Sequence, residues 1–248
     1  IGWSWLNDLP YLHVCTAERQ AYMNLVDDLP IAQVPLRLNP YREWIGAQIR
    51  ADFWGYACPG WPERAAEMAF RDASLSHVKN GIYGEIFCAA AISEAFVTDD
   101  PIKLIEAGLA EIPLTSRLAE TVLDCLRWSR ELETWEEAFE AMLETYYGKY
   151  NWVHTNNNLA IVLIALLYGW PDFEKVLTIS VMQGMDTDCN GATAGSIIGA
   201  ALGASNLPKK WTKPLGGKLL TGVQGFNEID IKEMAVRSVE QARRVLGA

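Results

Sequence analysis

Polar and apolar positions along the 248-residue chain follow a helical period over most of its length. Residues 63–75, 82–96, 102–111, 118–132 and 135–147 carry apolar side chains three or four apart, which predicts helices with one face turned to a core. Punctuation agrees with the period. Pro62 before Glu63 suits a first helical turn, Asp99-Asp100-Pro101 reads as a cap with proline behind it, and Thr134 and Glu137 have the spacing of a capping box. Residues 159–168 are apolar nearly all round and predict a buried helix, capped by the polar stretch His154-Thr155-Asn156-Asn157-Asn158. Pro171 and Asp172 open a further helix ending near Gln183, and residues 230–246 form the last one. Pro10, Pro30, Pro35 and Pro40 cut the first 40 residues into short pieces. Residues 39–50 read as a loop feeding a helix, Cys58 to Pro62 as a turn, and Lys209-Lys210 as a turn before a glycine-rich connection. No stretch alternates with a period of two, so the expected class is all-α, in one domain spanning residues 1–248.

One stretch departs from ordinary helix composition. Asp186 and Asp188 stand at the head of a run of small and apolar residues in which Gly191, Gly195, Gly199 and Gly203 recur every four positions. On a helix that spacing makes one smooth face, and each glycine costs about 0.8–1 kcal/mol relative to alanine, so a close neighbour or a ligand is expected against it. In an extended segment the two aspartates would point to the same side. The helix start beside them, with free N–H groups and a partial positive charge, leaves a cation, a phosphate or a simple cap all open. Acids at positions 1 and 3, Asn190 and Gly191 imitate half of an EF-hand loop, but Ile197 stands where the bidentate glutamate belongs. A cap needs one aspartate, and a second adds repulsion unless a cation is present; metal binding is the preferred reading.

Composition narrows the partners. A net charge of −10 and the absence of a basic stripe argue against a nucleic-acid polymer. Five scattered cysteines without a Cys-x-x-Cys pair indicate neither a disulfide framework nor structural zinc, and fit a reducing cytoplasm. No signal peptide or membrane-spanning run is visible. Most of the 10 tryptophans read as core, with Trp44 set aside as a stacking platform because it lies in a loop. P-loop, nucleophile-elbow and zincin patterns are absent. The opening at Ile1 reads as the interior of a domain, so an N-terminal part of the same domain is expected to be missing.

Gly184-Met185-Asp186-Thr187-Asp188 and the small-residue helix after it resemble the C-terminal signature of the ADP-ribosylglycohydrolase family, Gly-Gly-Asp-Thr-Asp-Thr. Gly46-Ala47-Gln48-Ile49-Arg50 looks like that family's Gly-Ala-x-Met-Arg segment, and Ser76-His77 like its Thr-His segment. The resemblance implies a compact multi-helix orthogonal bundle and a two-metal site, magnesium or manganese. It implies hydrolysis of an N- or O-glycosidic bond at the ribose anomeric carbon of an ADP-ribosylated protein or a related small molecule. Carried over, Asp186 and Asp188 would be catalytic residues and metal ligands. Cys189 stands at the place of a threonine ligand, and a thiol is a poor partner for magnesium. His77 would lie near substrate, and Trp44, Gly46, Asn80 and Gly184 complete the expected substrate contacts. Ile45 replaces the asparagine before Gly-Ala, so the phosphate-cradling loop is expected to be built differently. The family's N-terminal acidic motif is not found; Asp27-Asp28 and Asp99-Asp100, the adjacent aspartate pairs present, lie in other contexts. The rival expectation is a non-catalytic ADP-ribose-binding or structural member of the same fold.

Overall fold

The protein's computed structural model describes residues 1–10 and 13–247. Its α-helices, in chain order, are α1 (Gly2–Asp8), α2 (Thr16–Val26), α3 (Gly46–Ile49), α4 (Asp52–Ala57), α5 (Pro62–Ala73), α6 (Asn80–Glu94), α7 (Pro101–Ala110), α8 (Arg117–Glu131), α9 (Trp135–Tyr146), α10 (Thr155–Gly169), α11 (Phe173–Met182), α12 (Thr187–Leu202), α13 (Lys209–Thr212) and α14 (Ile231–Leu246). The all-α expectation holds. Its one exception is a short antiparallel pair, β1 (Lys218–Leu220) and β2 (Glu228–Asp230), with Lys218 opposite Asp230. Three residues per strand are too few for alternation to register in the sequence.

The caps explain why the predicted boundaries fall where they do. Asp100 accepts from the Ile102 amide at 2.9 Å, Asp172 accepts from Glu174 and Lys175, and Thr134 and Glu137 close a reciprocal capping box. The start of α10 differs from expectation. His154 does cap, its Nδ1 accepting from the Asn156 amide at 3.1 Å, but the helix begins at Thr155 and takes the three asparagines into its first turn. Lys209 and Lys210, expected in a turn, form the short α13.

Every residue of α10 from Thr155 to Leu166 is buried, and α6, α8, α9, α11 and α12 pack around it. This central helix organises the main core, where Phe87, Leu104, Leu118, Met142, Leu163 and Ile197 meet. Each large apolar side chain enclosed there contributes about 1.5–3 kcal/mol. A smaller cluster of Trp5, Ala21, Val34 and Leu75 joins α1 and α2 to the end of α5, and a third, Ile45, Val153 and Cys189, ties the loop before α3 to α12. Trp5 and Trp128 are buried, Trp54, Trp135 and Trp170 pack half-buried on the main core and Trp44 on the third cluster, so the core expectation holds for most; Trp3, Trp61, Trp152 and Trp211 are exposed. Among the described residues no helix is long and apolar enough to cross a membrane.

The glycine face of α12 is close to a neighbour over half its length. A Cβ on Gly191 would lie 3.2 Å from Val181 Cγ2, and one on Gly195 3.1 Å from Leu177 Cδ2, both on α11. Around Gly199 and Gly203 there is nothing within 4 Å, and Gly203 ends the helix with φ +74°. The uniform close approach expected along the stripe is therefore confined to its first two glycines.

Candidate functional site

Between α11 and α12 the chain turns through two left-handed residues, Gly184 (φ +78°) and Met185 (φ +57°). Glycine adopts this conformation freely, whereas a methionine there costs about 1–2 kcal/mol and needs support. Asn157 supplies part of it, its Nδ2 lying 3.0 Å from Met185 Sδ. Asn158 Oδ1 accepts from the Asp186 amide at 3.2 Å and from Asn190 Nδ2 at 2.8 Å, so one buried side chain of α10 holds both ends of the acidic turn.

That turn brings carboxylate oxygens of Asp186 and Asp188 and Cys189 Sγ within 4.8 Å of one another. The aspartates do not converge as alternate residues of an extended segment, as the sequence suggested. Asp186 is the residue before the first turn of α12 and Asp188 lies inside that turn, and the start of the helix curls them together. Asp186 lies against the Cys189 amide and thiol without closing a capping bond of normal geometry. Burial, and then the Asp188 carboxylate beside it, raise its affinity for a proton, and no cationic side chain offsets them. Burial also raises the Cys189 thiol, with Asp186 and Asp188 adding to the effect, so the group stays protonated rather than becoming a soft thiolate ligand.

Two carboxylates without a counter-charge suit a hard divalent cation. Two positions after Asp188, the Asn190 Oδ1 is buried and accepts no hydrogen bond, an oxygen of the kind such an ion takes. The two carboxylates present fit one hard divalent cation. Among the described residues no second group of three acidic, histidine or cysteine ligands is close enough to hold another ion.

A second, buried charge network adjoins the turn. Arg50 bonds Asp72 at 2.6 Å and Ser76 Oγ at 2.8 Å, pairs with the Glu18 carboxylate, and lies 3.7 Å from Glu85. Glu18 reaches across from α2, and its field is felt at the Cys189 thiol. Its carboxylate also covers Gly46: a Cβ added there would collide with it. Gly46 is therefore not the open cradle for a ligand that the sequence suggested; its missing side chain makes room for Glu18.

His77 needs the same correction. Its side chain is wholly enclosed, with Nδ1 2.8 Å from Ser76 Oγ and 4.0 Å from Glu18. Nε2 faces the Trp44 backbone without closing a bond of normal geometry. Burial, and then Arg50, drive its pKa well below the usual histidine value, so it packs as a neutral ring out of reach of a ligand. Asn80 is also occupied internally, donating to Glu43 at 2.7 Å and accepting from the Leu118 amide at 3.1 Å. It lines a small cleft with Lys79, Tyr83 and Arg117. Trp44, half-buried and edge-on to Tyr41 with centroids 4.7 Å apart, packs on the Ile45, Val153 and Cys189 cluster, and so lies beside the acidic turn. Gly184 has open space where a side chain would be.

Glu18, Asn157, Asn158 and the acids around Arg50 carry no motif. Glu85 left a trace, as one charge inside the apolar run 82–96, and three consecutive asparagines left another.

The sequence model of the ADP-ribosylglycohydrolase family matches residues 4–244. No curated protein sequence gives a significant match.

Proposed function

Since the chain belongs to the ADP-ribosylglycohydrolase family, we propose that it hydrolyses a ribosyl glycosidic bond with a divalent cation, magnesium or manganese, held at the Asp186 turn. Family membership supports glycosidic hydrolysis in general; the cation and the substrate are our reading. The observation that carries it is the convergence of Asp186 and Asp188 at the start of α12, beside the Cys189 thiol, with no cationic side chain to neutralise the acids. Left alone, carboxylates this close repel, so binding a cation is favourable in proportion to the repulsion removed.

Asp186, Asp188 and Asn190 would hold the ion. When bound, it lowers the pKa of a coordinated water and offsets negative charge on the substrate. Asn158 fixes the turn so that both carboxylates stay aimed at one point. Trp44 gives the adjoining wall an apolar, flat surface for a substrate ring. Cleavage at an anomeric carbon passes through an oxocarbenium-like state, which nearby carboxylates favour by their charge. The substrates consistent with this reading are an ADP-ribosylated protein or an ADP-ribosyl or ribosyl small molecule.

Titration with magnesium and manganese, followed by calorimetry, tests the site. Wild type should bind, and Asp186→Ala should weaken binding by about 100-fold or more. Release assays on ADP-ribosyl-arginine, ADP-ribosyl-serine and simple ribosides should show metal-dependent turnover lost in the same variant. Equal metal binding in both proteins would overturn the reading, and tight substrate binding without turnover would favour the non-catalytic alternative.

A further inference from the structure

A cleft of about 700 Å³ lies against the acidic turn, and Met185, the residue before Asp186, forms part of its wall. It is the separate aromatic face of the site, built from the end of α9, the connection to α10 and the end of α11. Tyr147 and Trp152 stand at its rim, 82% and 59% exposed, and Tyr150 lies further in, stacked on His154 with centroids 4.5 Å apart. Large flat side chains left in water at the mouth of a cleft are suited to stacking on another flat group.

The inner wall carries two amides with a fixed orientation. Gln183 Nε2 donates to the Ile161 carbonyl at 3.2 Å and to the Ile179 carbonyl at 3.1 Å. Asn157 Nδ2 donates to the Asn151 carbonyl at 3.1 Å and contacts Met185 Sδ. Both NH2 groups are thereby anchored on acceptors, and neither amide can be turned around without losing them. Gln183 Oε1 and Asn157 Oδ1 are left buried, with no donor. A buried carbonyl oxygen without a partner costs about 1–3 kcal/mol, which a ligand bringing N–H groups would relieve. Among the described residues that line the cleft there is no lysine, arginine, aspartate or glutamate; the nearest charges are met through Tyr146, with Lys149 over its ring and Asp124 accepting from its hydroxyl.

We infer that this cleft binds a neutral, planar heterocycle bearing an amino or amide N–H donor, of the nucleobase or carboxamide type, as the leaving group of the reaction. The inference rests on the hydrolytic reading above and narrows it to N-ribosides. In the reaction the C1′–N bond breaks and water gives its oxygen to C1′; the proton that water loses goes to the departing nitrogen of a purine, or to solvent when a pyridinium carboxamide departs as the neutral ring. Stacking holds the ring and the two carbonyl oxygens select its amino edge, while the Met185 side of the cleft leads to the acids.

The test uses free bases on the full chain without metal, so that it does not depend on hydrolysis. Adenine and purine differ only in the amino group. Calorimetry should give adenine about five- to ten-fold tighter binding than purine, with nicotinamide also binding and free arginine not competing. Trp152→Leu and Tyr147→Leu, both at exposed positions, should each weaken adenine about ten-fold while leaving thermal unfolding unchanged. Asp186→Ala should bind adenine as wild type does. Equal affinity for adenine and purine, competition by arginine, or unchanged binding in Trp152→Leu would each overturn the inference. Base binding retained where turnover is absent would sink the hydrolytic reading and with it the leaving-group role, leaving the cleft as a base-binding site. Turnover of ADP-ribosyl-arginine without base binding would sink only the inference.

Discussion

Two groups of acids lie side by side in this protein and are treated in opposite ways. Around Arg50, the carboxyls of Glu18, Asp72 and Glu85 gather on one guanidinium and on each other, shut inside α2, α3, α5 and α6. At the start of α12, Asp186 and Asp188 converge with no cation of their own, and Asp188 faces solvent. Burial raises the pKa of both Glu18 and Glu85, with Arg50 pulling the other way, so the first group offsets part of its charge with a cation of the fold, while both Glu85 oxygens lack a hydrogen-bond partner. The second leaves its charge for something else to satisfy. Acids enclosed around a cation of the fold mark architecture, whereas acids left without one at the mouth of a cleft mark a site.

The largest effect should come from breaking the enclosed side. Arg50→Ala strips the carboxylates of their shared partner, and losing one member of a buried ion network costs about 3–5 kcal/mol. Arg50 keeps 23% of its side-chain exposure, which places the expected loss near the lower figure. Because the abandoned acids would rather be protonated, the deficit should be larger at pH 8 than at pH 5. Urea unfolding of wild type and variant at both pH values measures it. An Arg50→Ala protein as stable as wild type at pH 8 would erase the contrast, since the network would then not be holding the fold. In the acidic turn, the comparable Asp186→Ala change should leave stability intact or raise it, because it removes repulsion rather than a partner.

Asp52 sharpens the contrast as an intermediate case. It begins α4 beside the C-terminal helix α14, where an apolar cavity of about 820 Å³ separates the two. Burial pushes its pKa up to about 7, Ser196 offsets this only in part, and Oδ1 has no partner. A carboxyl whose folded pKa lies above its unfolded value destabilises once ionised, so stability should fall as pH rises from about 4 to 7. The shift corresponds to at most about 4 kcal/mol, and relaxation reduces this to about 1–3 kcal/mol. Asp52→Asn should therefore unfold later than wild type at pH 8 and together with it at pH 4. A constant difference across that range would show that Asp52 stays ionised and solvated.

The helical framework was legible because it is written in local chemistry. Asp100, Thr134 with Glu137, and Asp172 cap their helices as their spacing requires, and the apolar run 159–168 is buried as far as Leu166, as its composition demands. The acidic pair was legible for the same reason, since Asp186 and Asp188 are neighbours in sequence. Contacts made across the fold were not. Nothing in Gly46 announces Glu18, 28 positions earlier, as the group above it, and nothing in His77 announces its enclosure beneath Arg50. Motif likeness carried both residues toward a ligand, but long-range packing closed each of them off. The three asparagines show the halfway case: their polarity marked a special place, and only the fold reveals that Asn158 grips the acidic turn.

The smallest effect concerns the mount of the incomplete site. Gly191 and Gly199 lie on one face of α12, yet a Cβ at the first meets Val181 at 3.2 Å and one at the second meets nothing within 4 Å. Gly199→Ala gains helix propensity without a clash and should stabilise the protein by about 0.4–1 kcal/mol. At Gly191 the same gain is offset by crowding against α11, and the net change should be near zero or unfavourable. Metal titration of the Gly199→Ala protein gives the decisive reading. If the acidic turn is a preformed site held by Asn157 and Asn158 at its own end of the helix, affinity should match wild type while the melting temperature rises. A loss of affinity on stiffening this distant turn would mean that α12 must flex for the acids to close on an ion, and the site would then be incomplete in shape as well as in charge.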